Sequence, residues 1–275
     1  DGPVAGSSLD KNISRAELFY DGQPMHLARW PNIGADGRPT WAYAGDPFPF
    51  NCTPTKTCVG FSFSSRTVGL LGWPPKPTAR VTVPPPRRLR DWDAAAKSGD
   101  APWLHGYFIS DHVDSFINLT SAQVSNSTDA DLQVGQFPIN RVPVKPGARF
   151  AAINLLSELD QEKEYFISRN ASRPDHGMMY FFPPSSLGGR SASKQAFISV
   201  ARHVLTLAPN ASFITFEGLR FEHSRSTAVV PAMMPNDPNF WPNPSPLTLP
   251  SSGWLYNITL SRCVVANTDV GCLHN

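Results

Sequence analysis

The chain has 275 residues, of which 41% are hydrophobic and 17% charged, so it can bury a large core and is not expected to be disordered. Its formal net charge of +2 excludes polyelectrolyte character, and neither nucleic acid nor an anionic membrane is indicated as a partner. With 28 prolines and 19 glycines long helices are disfavoured, and no apolar run reaches the roughly 18 residues of a membrane-spanning helix.

The first third of the chain predicts short strands, turns and one helix. Alternating residues over 15–31 flank Asp21-Gly22, which is typical of a β-hairpin. An irregular excursion rich in Gly, Pro, Trp and Phe follows over 33–78. The arginines Arg87, Arg88 and Arg90 come after three prolines and are interpreted as the solvated start of a strand. Asp91 to Lys97 predicts a short helix that ends at Ser98-Gly99.

The middle of the chain predicts further strands. Residues 103–119 are aromatic and β-branched, with polar residues at intervals of two to three, which favours strand, turn and strand. Glu164 to Ser168 and Met178 to Phe182 indicate a hairpin that ends at Pro183-Pro184.

An internal repeat occupies the last third. Residues 213–223 align with 257–267 at a constant offset, so that Ile214 matches Ile258. Between the copies lies an irregular insertion over 231–252, rich in Pro, Asn and Met. Once this insertion is discounted, each repeat is on the order of two dozen residues, which is typical of one coil of a β-solenoid.

Acceptor tripeptides for N-glycosylation indicate the compartment. The tripeptide Asn-x-Ser/Thr occurs far more often than chance, and this pattern predicts a secreted, extracellular glycoprotein of the cell surface or wall. The acceptors are Asn12, Asn51, Asn118, Asn126, Asn170, Asn210 and Asn257.

The four cysteines fall into two pairs that are local in sequence. In an oxidising compartment their spacing favours disulfides between Cys52 and Cys58 and between Cys263 and Cys272, although other connectivities stay open. A zinc site needs closer Cys/His spacing, so no metal is predicted, and no cofactor motif is present.

Four stretches together resemble a family of secreted right-handed parallel β-helix proteins grouped with polysaccharide lyases and glycoside hydrolases. The resemblance covers most of residues 15–230. The stretches are Ala28-Arg29-Trp30-Pro31-Asn32, the Trp103, His105, Gly106 and Tyr107 segment, the Asn154, Leu155, Glu158, Leu159 and Asp160 segment, and the strands with Tyr165 and with Tyr180, Phe181, Pro183 and Pro184.

The resemblance implies an all-β fold, namely a right-handed parallel β-helix (solenoid) with an inserted or flanking β-rich region. Residues 1–190 are assigned to the β-rich region and residues 191–275 to the coils. Family members carry further coils, so we expect the solenoid to continue beyond Asn275. Within this resemblance the segments 16–32 and 154–169 are interpreted as structural signatures of how the chain enters its solenoid.

Carboxyl pairs are the candidates for glycoside hydrolysis, which uses two carboxyl groups roughly 5–10 Å apart. In each pair a structural role, in a turn or on the outer face of a sheet, is the alternative. The pairs are Glu158 with Asp160, Asp111 with Asp114, and Glu217 with Glu222.

A lyase instead needs a base and a group that neutralises the substrate carboxylate. The candidates are His105, Tyr107, His223 and Arg225, although a lone histidine more often has a structural role. Because Glu222, His223 and Arg225 form the densest local cluster, the catalytic prediction falls on Glu217, Glu222, His223 and Arg225.

Two functions follow from these observations. The first is an extracellular carbohydrate-active protein that acts on or binds a cell-wall or matrix polysaccharide, as a glycoside hydrolase or polysaccharide lyase. The alternative is a non-catalytic structural or adhesive glycoprotein of an extracellular assembly, with other glycoproteins or further copies of itself as partners.

Tryptophans in loop-like segments offer platforms for sugar rings, or else they hold loops against the solenoid. They are Trp30, Trp41, Trp73, Trp241 and Trp254.

Overall fold

The computed structural model describes residues 16–53, 56–64, 67–70, 76–80, 86–100, 102–111, 113–124, 129–135, 144–170, 173–185, 193–199, 201, 203–208, 210–224, 228–231 and 256–268. For some residues within strands it describes the backbone alone.

The elements are numbered in chain order. They are β1 (Glu17–Tyr20), β2 (Gln23–Pro24), β3 (His26–Leu27), β4 (Arg29–Trp30), β5 (Ala42–Tyr43), β6 (Pro47–Thr53), β7 (Lys56–Ser64), β8 (Thr67–Leu70), β9 (Lys76–Arg80), α1 (Pro86–Ser98), β10 (Trp103–Ser110), β11 (Val113–Val124), β12 (Asp129–Val134), β13 (Arg149–Ile153), β14 (Glu164–Asn170), β15 (Arg173–Phe181), β16 (Ala196–Ser199), β17 (Leu205–Leu207), β18 (Ser212–Glu217), β19 (Arg220–Ser224), β20 (Val229–Pro231), β21 (Tyr256–Ser261) and β22 (Val264–Thr268).

The described elements are strands apart from α1 and a 3₁₀ helix at Leu156–Glu158, so the predicted all-β class is confirmed. The chain divides into two compact units, one of Asp1–Met25 with Arg190–Asn275 and the other of His26–Gly189. The assignment of 1–190 to a β-rich region and of 191–275 to solenoid coils stays a prediction.

An eight-stranded antiparallel sheet dominates the unit His26–Gly189. Its strands follow the order β4-β13-β10-β11-β12-β7-β6, and β5 also pairs with β13. The buried side of the sheet carries large apolar side chains such as Phe61, Phe108 and Phe150, and α1 packs against β11 and adds Leu89 and Trp92 to this core.

Helix α1 begins earlier than the sequence predicted. It runs from Pro86 to Ser98, so its expected end is confirmed, but the arginines interpreted as the start of a strand lie in its first turns. That interpretation was wrong because proline is favoured at the first helical position, where its missing N–H has no partner to lose. Gly99, with φ of 90°, ends the helix in the left-handed region.

The second predicted hairpin is confirmed, and the first is confirmed next to its turn, whereas β3 and β4 of its expected second arm pair with β14 and β13. β1 pairs with β2 across Asp21-Gly22, and both turn residues have positive φ, as a tight two-residue hairpin turn requires. β14 pairs with β15 in antiparallel register, and β3 adds to β14 as a parallel strand.

The unit of Asp1–Met25 with Arg190–Asn275 contains three parallel strand pairs. β17 pairs with β20, β18 with β21 and β19 with β22, so the partners follow one another in the same chain order. Ile214 lies opposite Ile258 and Phe221 opposite Val265. The internal repeat therefore predicted the observed strand register.

Alternate residues of both repeat copies meet in one small core. It is formed by Leu207, Phe221, Ala228 and Val229, against which Phe216, Ile258, Leu260, Cys263 and Val265 pack. Over the part of the chain that the structure describes, no helix is both long and apolar enough to cross a membrane.

Candidate functional site

The outer face of the eight-stranded sheet carries a cluster of half-buried side chains. Along β10, Leu104 and Phe108 are buried in the core. His105 and Tyr107 therefore lie on the opposite face, because side chains alternate along a strand. Phe116 of β11 shares that face, since it is opposite His105 in the register. We name this cluster the aromatic face; it comprises Trp41, His105, Tyr107, Phe116 and Arg149.

The rings of the aromatic face contact one another edge to face and in stacks. Trp41 meets both His105 and Tyr107 edge on, with 5.7 Å between ring centroids in each pair. His105 stacks on Phe116 with centroids 4.3 Å apart and planes inclined by 4°. All four residues are half-buried, so part of each remains accessible to a ligand.

Two arginines lie beside these rings. The Arg149 guanidinium carbon is 4.0 Å from the Tyr107 ring centroid and 5.5 Å from that of Trp41, within the range of cation–π attraction. Arg149 Nε lies 3.1 Å from Asp111 Oδ1 in an ion pair. The guanidinium carbon of Arg29 is 5.3 Å from the Trp41 ring centroid.

Arg29 is buried yet charged. Its Nη2 donates a hydrogen bond of 2.8 Å to the carbonyl oxygen of Thr40, whereas its buried Nε has no hydrogen-bond partner among the described residues. Burial lowers the pKa of Arg29 to about 10, and the nearby Glu164 carboxylate opposes this shift. The group therefore keeps its positive charge at neutral pH, next to the aromatic face.

The predicted pair of Glu158 and Asp160 has a structural environment. The Arg88 guanidinium donates to both, with 2.8 Å to Glu158 Oε2 and 2.6 Å to Asp160 Oδ2. Trp92 Nε1 donates 2.7 Å to Glu158 Oε1, and Asn32 Nδ2 donates 2.8 Å to Asp160 Oδ1. The Glu158 side chain is fully buried. Burial raises the pKa of Glu158, although the Trp92 hydrogen bond and the Arg88 charge oppose it.

Glu164 is a second buried carboxyl close to this network. Its Oε2 accepts hydrogen bonds from the backbone N–H groups of Asp160 (3.1 Å) and Gln161 (3.0 Å), and its Oε1 accepts one from Arg29 N at 3.3 Å. Burial raises the pKa of Glu164 to about 7, against the opposing effect of these hydrogen bonds. The carboxyl ties the turn before β14 to β4.

Asn154 acts in the same structural way. With φ of 58° it sits in the left-handed region, and its Oδ1 accepts a hydrogen bond of 2.9 Å from Ile167 N. Its Nδ2 donates a hydrogen bond of 3.1 Å to Ile167 O, so the Asn154 side chain binds both the N–H and the carbonyl group of Ile167 in β14. The motif that begins at Asn154 thus holds strands together.

The predicted catalytic residues of the repeat are dispersed into separate contacts. Glu217 forms an ion pair with Arg262, and Glu222 forms one with Arg220. His223 lies against Phe19 at 4.3 Å and Phe197 at 5.5 Å between ring centroids. Its Nε2 is 3.3 Å from Asn267 Nδ2. The catalytic role of Glu217, Glu222 and His223 stays a prediction, and Arg225 lies outside the described residues.

The other predicted positions are only partly described. Among the described residues the Cys263 thiol has no disulfide partner, and it lies 3.4 Å from Phe216 O; both proposed disulfides stay predictions. Among the glycosylation acceptors Asn118 is half-buried, whereas Asn210 and Asn257 are exposed. Positions outside the described residues are Asn12, Asn126, Cys272, Trp73, Trp241 and Trp254, and the side chains outside the description are those of Asn51, Cys52, Cys58, Asp114 and Asn170.

The sequence led to part of the aromatic face and missed the rest. His105, Tyr107 and Trp41 were singled out, whereas Trp30 is buried and packs on Trp92 at 5.6 Å. Phe116 and Arg149 were missed, since only the register of β10, β11 and β13 brings them to His105 and Tyr107. Among the described residues no three His, Cys, Asp or Glu side chains are grouped to hold a metal ion.

Comparisons with known proteins identify no family for this chain. No protein-family model matches the sequence, and no curated protein is significantly similar to it. A solved structure titled "Glycoside hydrolase" is similar over 76% of this chain with 12% sequence identity and a TM-score of 0.47. The chain spans 31% of that structure. A likeness at this level carries no argument about function.

Proposed function

We propose that this protein is an extracellular glycan-binding protein that contacts a cell-wall or matrix polysaccharide through the aromatic face. The observation that carries the proposal is the half-exposed contact of Trp41 and Tyr107 with the Arg149 guanidinium over the Tyr107 ring. Large aromatic side chains usually lie in a protein core, so a half-exposed aromatic cluster outside the core favours a ligand with its own apolar faces.

A sugar ring fits this chemistry. Its C–H faces stack on aromatic rings, and its hydroxyl groups need donors and acceptors at the rim. Arg149 supplies N–H donors and Asp111 supplies carboxylate acceptors next to the rings. The sheet fixes the spacing of four of the five side chains, since His105 and Tyr107 lie on β10, Phe116 on β11 and Arg149 on β13. The fifth residue, Trp41, directly precedes β5, which pairs with β13.

We further propose that the three parallel strand pairs are two successive coils of a right-handed β-solenoid, as the family resemblance implies. Backbone conformation supports this, because φ is positive at the same three places in both copies. These pairs are Phe213 (55°) and Asn257 (50°), Gly218 (68°) and Arg262 (52°), and His223 (62°) and Asn267 (54°). Parallel connections within one sheet are almost always right-handed, which favours that hand.

A non-catalytic role is favoured over hydrolysis at five carboxyl groups that pair with arginines. Glu158 and Asp160 share Arg88, Asp111 pairs with Arg149, and Glu217 and Glu222 each pair with an arginine. A glycosidase needs a protonated acid and a second carboxyl facing one bond. The second candidate function is therefore a structural or adhesive glycoprotein of an extracellular assembly.

Affinity electrophoresis tests the proposal. The chain is run through native gels that contain a soluble xylan, β-glucan or pectin, and retardation by at least one of them is expected. Trp41→Ala should weaken that binding about tenfold, as expected for an aromatic contact of about 1.4 kcal/mol. Tyr256→Ala is the matched control, since Tyr256 is also an exposed aromatic residue but lies on β21.

Retardation that is equal in wild type and Trp41→Ala would rule out the aromatic face, and no retardation in any gel would rule out glycan binding by this chain. The same polysaccharides are then incubated with the protein and assayed for reducing ends and unsaturated products. Product formation would favour the enzyme, and binding without product the adhesive role.

A further inference from the structure

Phe213 is an aromatic residue that the fold leaves in solvent. Its relative exposure is 80%, and it lies in β18 with φ of 55°. The neighbouring Ile214 and Phe216 turn inward, and Phe216 packs in the small core. The exposed ring therefore contributes little to the hydrophobic core of its own unit.

The position of Phe213 in the register brings it next to a glycosylation acceptor. Ser212 is opposite Tyr256 and Ile214 is opposite Ile258, so Phe213 and Asn257 occupy the same position in adjacent parallel strands. Their φ angles, 55° and 50°, match. Adjacent strands are about 4.8 Å apart, so the two side chains leave the sheet side by side.

Asn257 has the properties that an acceptor needs. It begins the tripeptide Asn257-Ile258-Thr259, its side chain is exposed, and Thr259 is exposed as well. Ile258 points toward the core, which leaves both recognition residues on the accessible side. The backbone at Asn257 has φ of 50°, in the left-handed region that asparagine adopts more readily than most residues.

We propose that Asn257 carries an N-linked glycan and that its first N-acetylglucosamine packs on the Phe213 ring. Attachment transfers an oligosaccharide from a lipid-linked pyrophosphate donor. The bond between the anomeric carbon and the pyrophosphate oxygen breaks, a bond from that carbon to Asn257 Nδ2 forms, and the amide loses one proton while the lipid pyrophosphate leaves. This inference rests on secretion, as the proposed function does, but not on polysaccharide binding.

The physical gain comes from covering an apolar ring. The C–H face of the first sugar removes part of the Phe213 ring from water, which is favourable in proportion to the apolar area covered. The same contact restricts the glycan to the edge of the adjacent strand. Phe213 thus packs against the glycan, which explains why an aromatic residue is exposed at this position.

Site occupancy is the first measurement. The full chain is secreted from a eukaryotic cell line. An amidase then removes its glycans in H₂¹⁸O, which converts each glycosylated asparagine to ¹⁸O-labelled aspartate, and the peptides are analysed by mass spectrometry. We expect ¹⁸O incorporation at Asn257 in most molecules. An unmodified Asn257 in secreted chain that is modified at Asn118 or Asn210 would overturn the proposal.

Thermal unfolding tests the contact by a double-mutant cycle. The glycans are trimmed to a single N-acetylglucosamine, and wild type is compared with Asn257→Gln, Phe213→Ala and the double variant. Loss of the sugar should lower the unfolding midpoint by about 2–4 °C in wild type, as a contact of about 1 kcal/mol does in a chain of this size. The same loss should have no effect when Phe213 is absent.

Three features make the cycle decisive. Phe213→Ala is used rather than Phe213→Asn, because the latter would create a new Asn-Ile-Thr acceptor. Asn118→Gln, in the other unit, serves as the control for loss of a glycan, and its effect should be the same with and without Phe213. Equal effects of Asn257→Gln in both backgrounds would contradict the packing even if Asn257 is modified. Failure to bind polysaccharide would leave this result untouched and would count against the proposed function alone.

Discussion

Arg88 links helix α1 to the carboxyl groups of the 154–169 motif. One guanidinium forms ion pairs with both the buried Glu158 and the exposed Asp160. A carboxylate that loses its partner in a buried site cannot be solvated by water, so the penalty is large. Arg88 therefore stabilises this unit by joining α1 to the 154–169 segment.

Substitution of Arg88 should expose this dependence. Arg88→Met is expected to lower the free energy of unfolding by about 3 kcal/mol, because the Glu158 charge is left buried without a counterion. Glu158→Gln added to Arg88→Met should recover part of the loss, since an amide needs no counterion and its oxygen can still accept from Trp92. Denaturant unfolding measures both. Lys97→Met is the control, because the exposed Lys97–Asp93 pair should be worth less than about 1 kcal/mol.

Glu164 makes stability depend on pH. Its folded pKa of about 7 lies above its ordinary value of 4.5, so the folded state holds the proton more tightly than the unfolded state. The favourable contribution is complete below pH 4.5 and is lost as the pH rises to about 7. A shift of this size corresponds to about 3 kcal/mol.

The pH dependence of unfolding tests this residue directly. The contribution of Glu164 should fall between pH 4.5 and 7, and Glu164→Gln should flatten that part of the profile because an amide does not titrate. Asp36→Asn, which removes an exposed carboxyl that forms an ion pair with Arg38, is the comparison variant. An unchanged slope in Glu164→Gln would show that the carboxyl is ionised throughout.

At the scale of an element, β10 owes its close packing to Gly106. A Cβ at this position would lie 2.5 Å from Arg149 O, 2.8 Å from Phe150 Cβ and 2.9 Å from Phe108 Cζ, which is closer than atoms can approach. Glycine is thus required where β10 passes between β11 and β13. The His-Gly-Tyr motif encodes this packing and, with it, the positions of the two flanking rings.

Gly106→Ala should therefore damage both stability and binding. The strand must move away from β13, at a cost of about 1–3 kcal/mol for overpacking, and the rings of His105 and Tyr107 move with it. Calorimetry gives the first effect and polysaccharide affinity the second. Gly135→Ala, whose Cβ would meet its nearest atom at 3.5 Å, should change stability by less than about 0.5 kcal/mol. If Gly106→Ala bound polysaccharide with the affinity of the wild type, β10 would not be part of the binding site.

At the scale of the whole molecule, local patterns predicted part of the local structure. The expectation of an irregular excursion over 33–78 was wrong, since β5 to β8 lie there and β6 and β7 belong to the eight-stranded sheet. The Asp21-Gly22 turn, the β14–β15 hairpin and the parallel register of the repeat all follow from residues that lie close together or recur at a fixed offset. Such patterns act through turn geometry and side-chain alternation, which depend on few other residues. The start of α1 was missed because proline at a helix start resembles proline before a strand.

The candidate site was less predictable because it depends on long-range register. Arg149 reaches Tyr107 only through the pairing of β13 with β10, and Arg88 reaches Glu158 only through the packing of a helix. The sequence named Glu158, Asp160, Glu217 and Glu222 by their spacing alone. Spacing could not show that arginines from distant segments pair with these carboxylates, since opposite charges are brought together by the fold.

The unit His26–Gly189 should fold as an isolated polypeptide. Its core cluster, from Trp30 to Leu155, lies within these residues, and its first strand is bound to its own β14 by the hydrogen bonds His26 N to Lys163 O (2.8 Å) and Ala28 N to Tyr165 O (2.7 Å). A unit that has its own hydrophobic core meets the main condition for independent folding. The excised unit is expected to unfold cooperatively, to show near-UV circular dichroism and to retain polysaccharide affinity that Trp41→Ala weakens. Dye binding without a cooperative transition would instead place part of its stability in Asp1–Met25 and Arg190–Asn275.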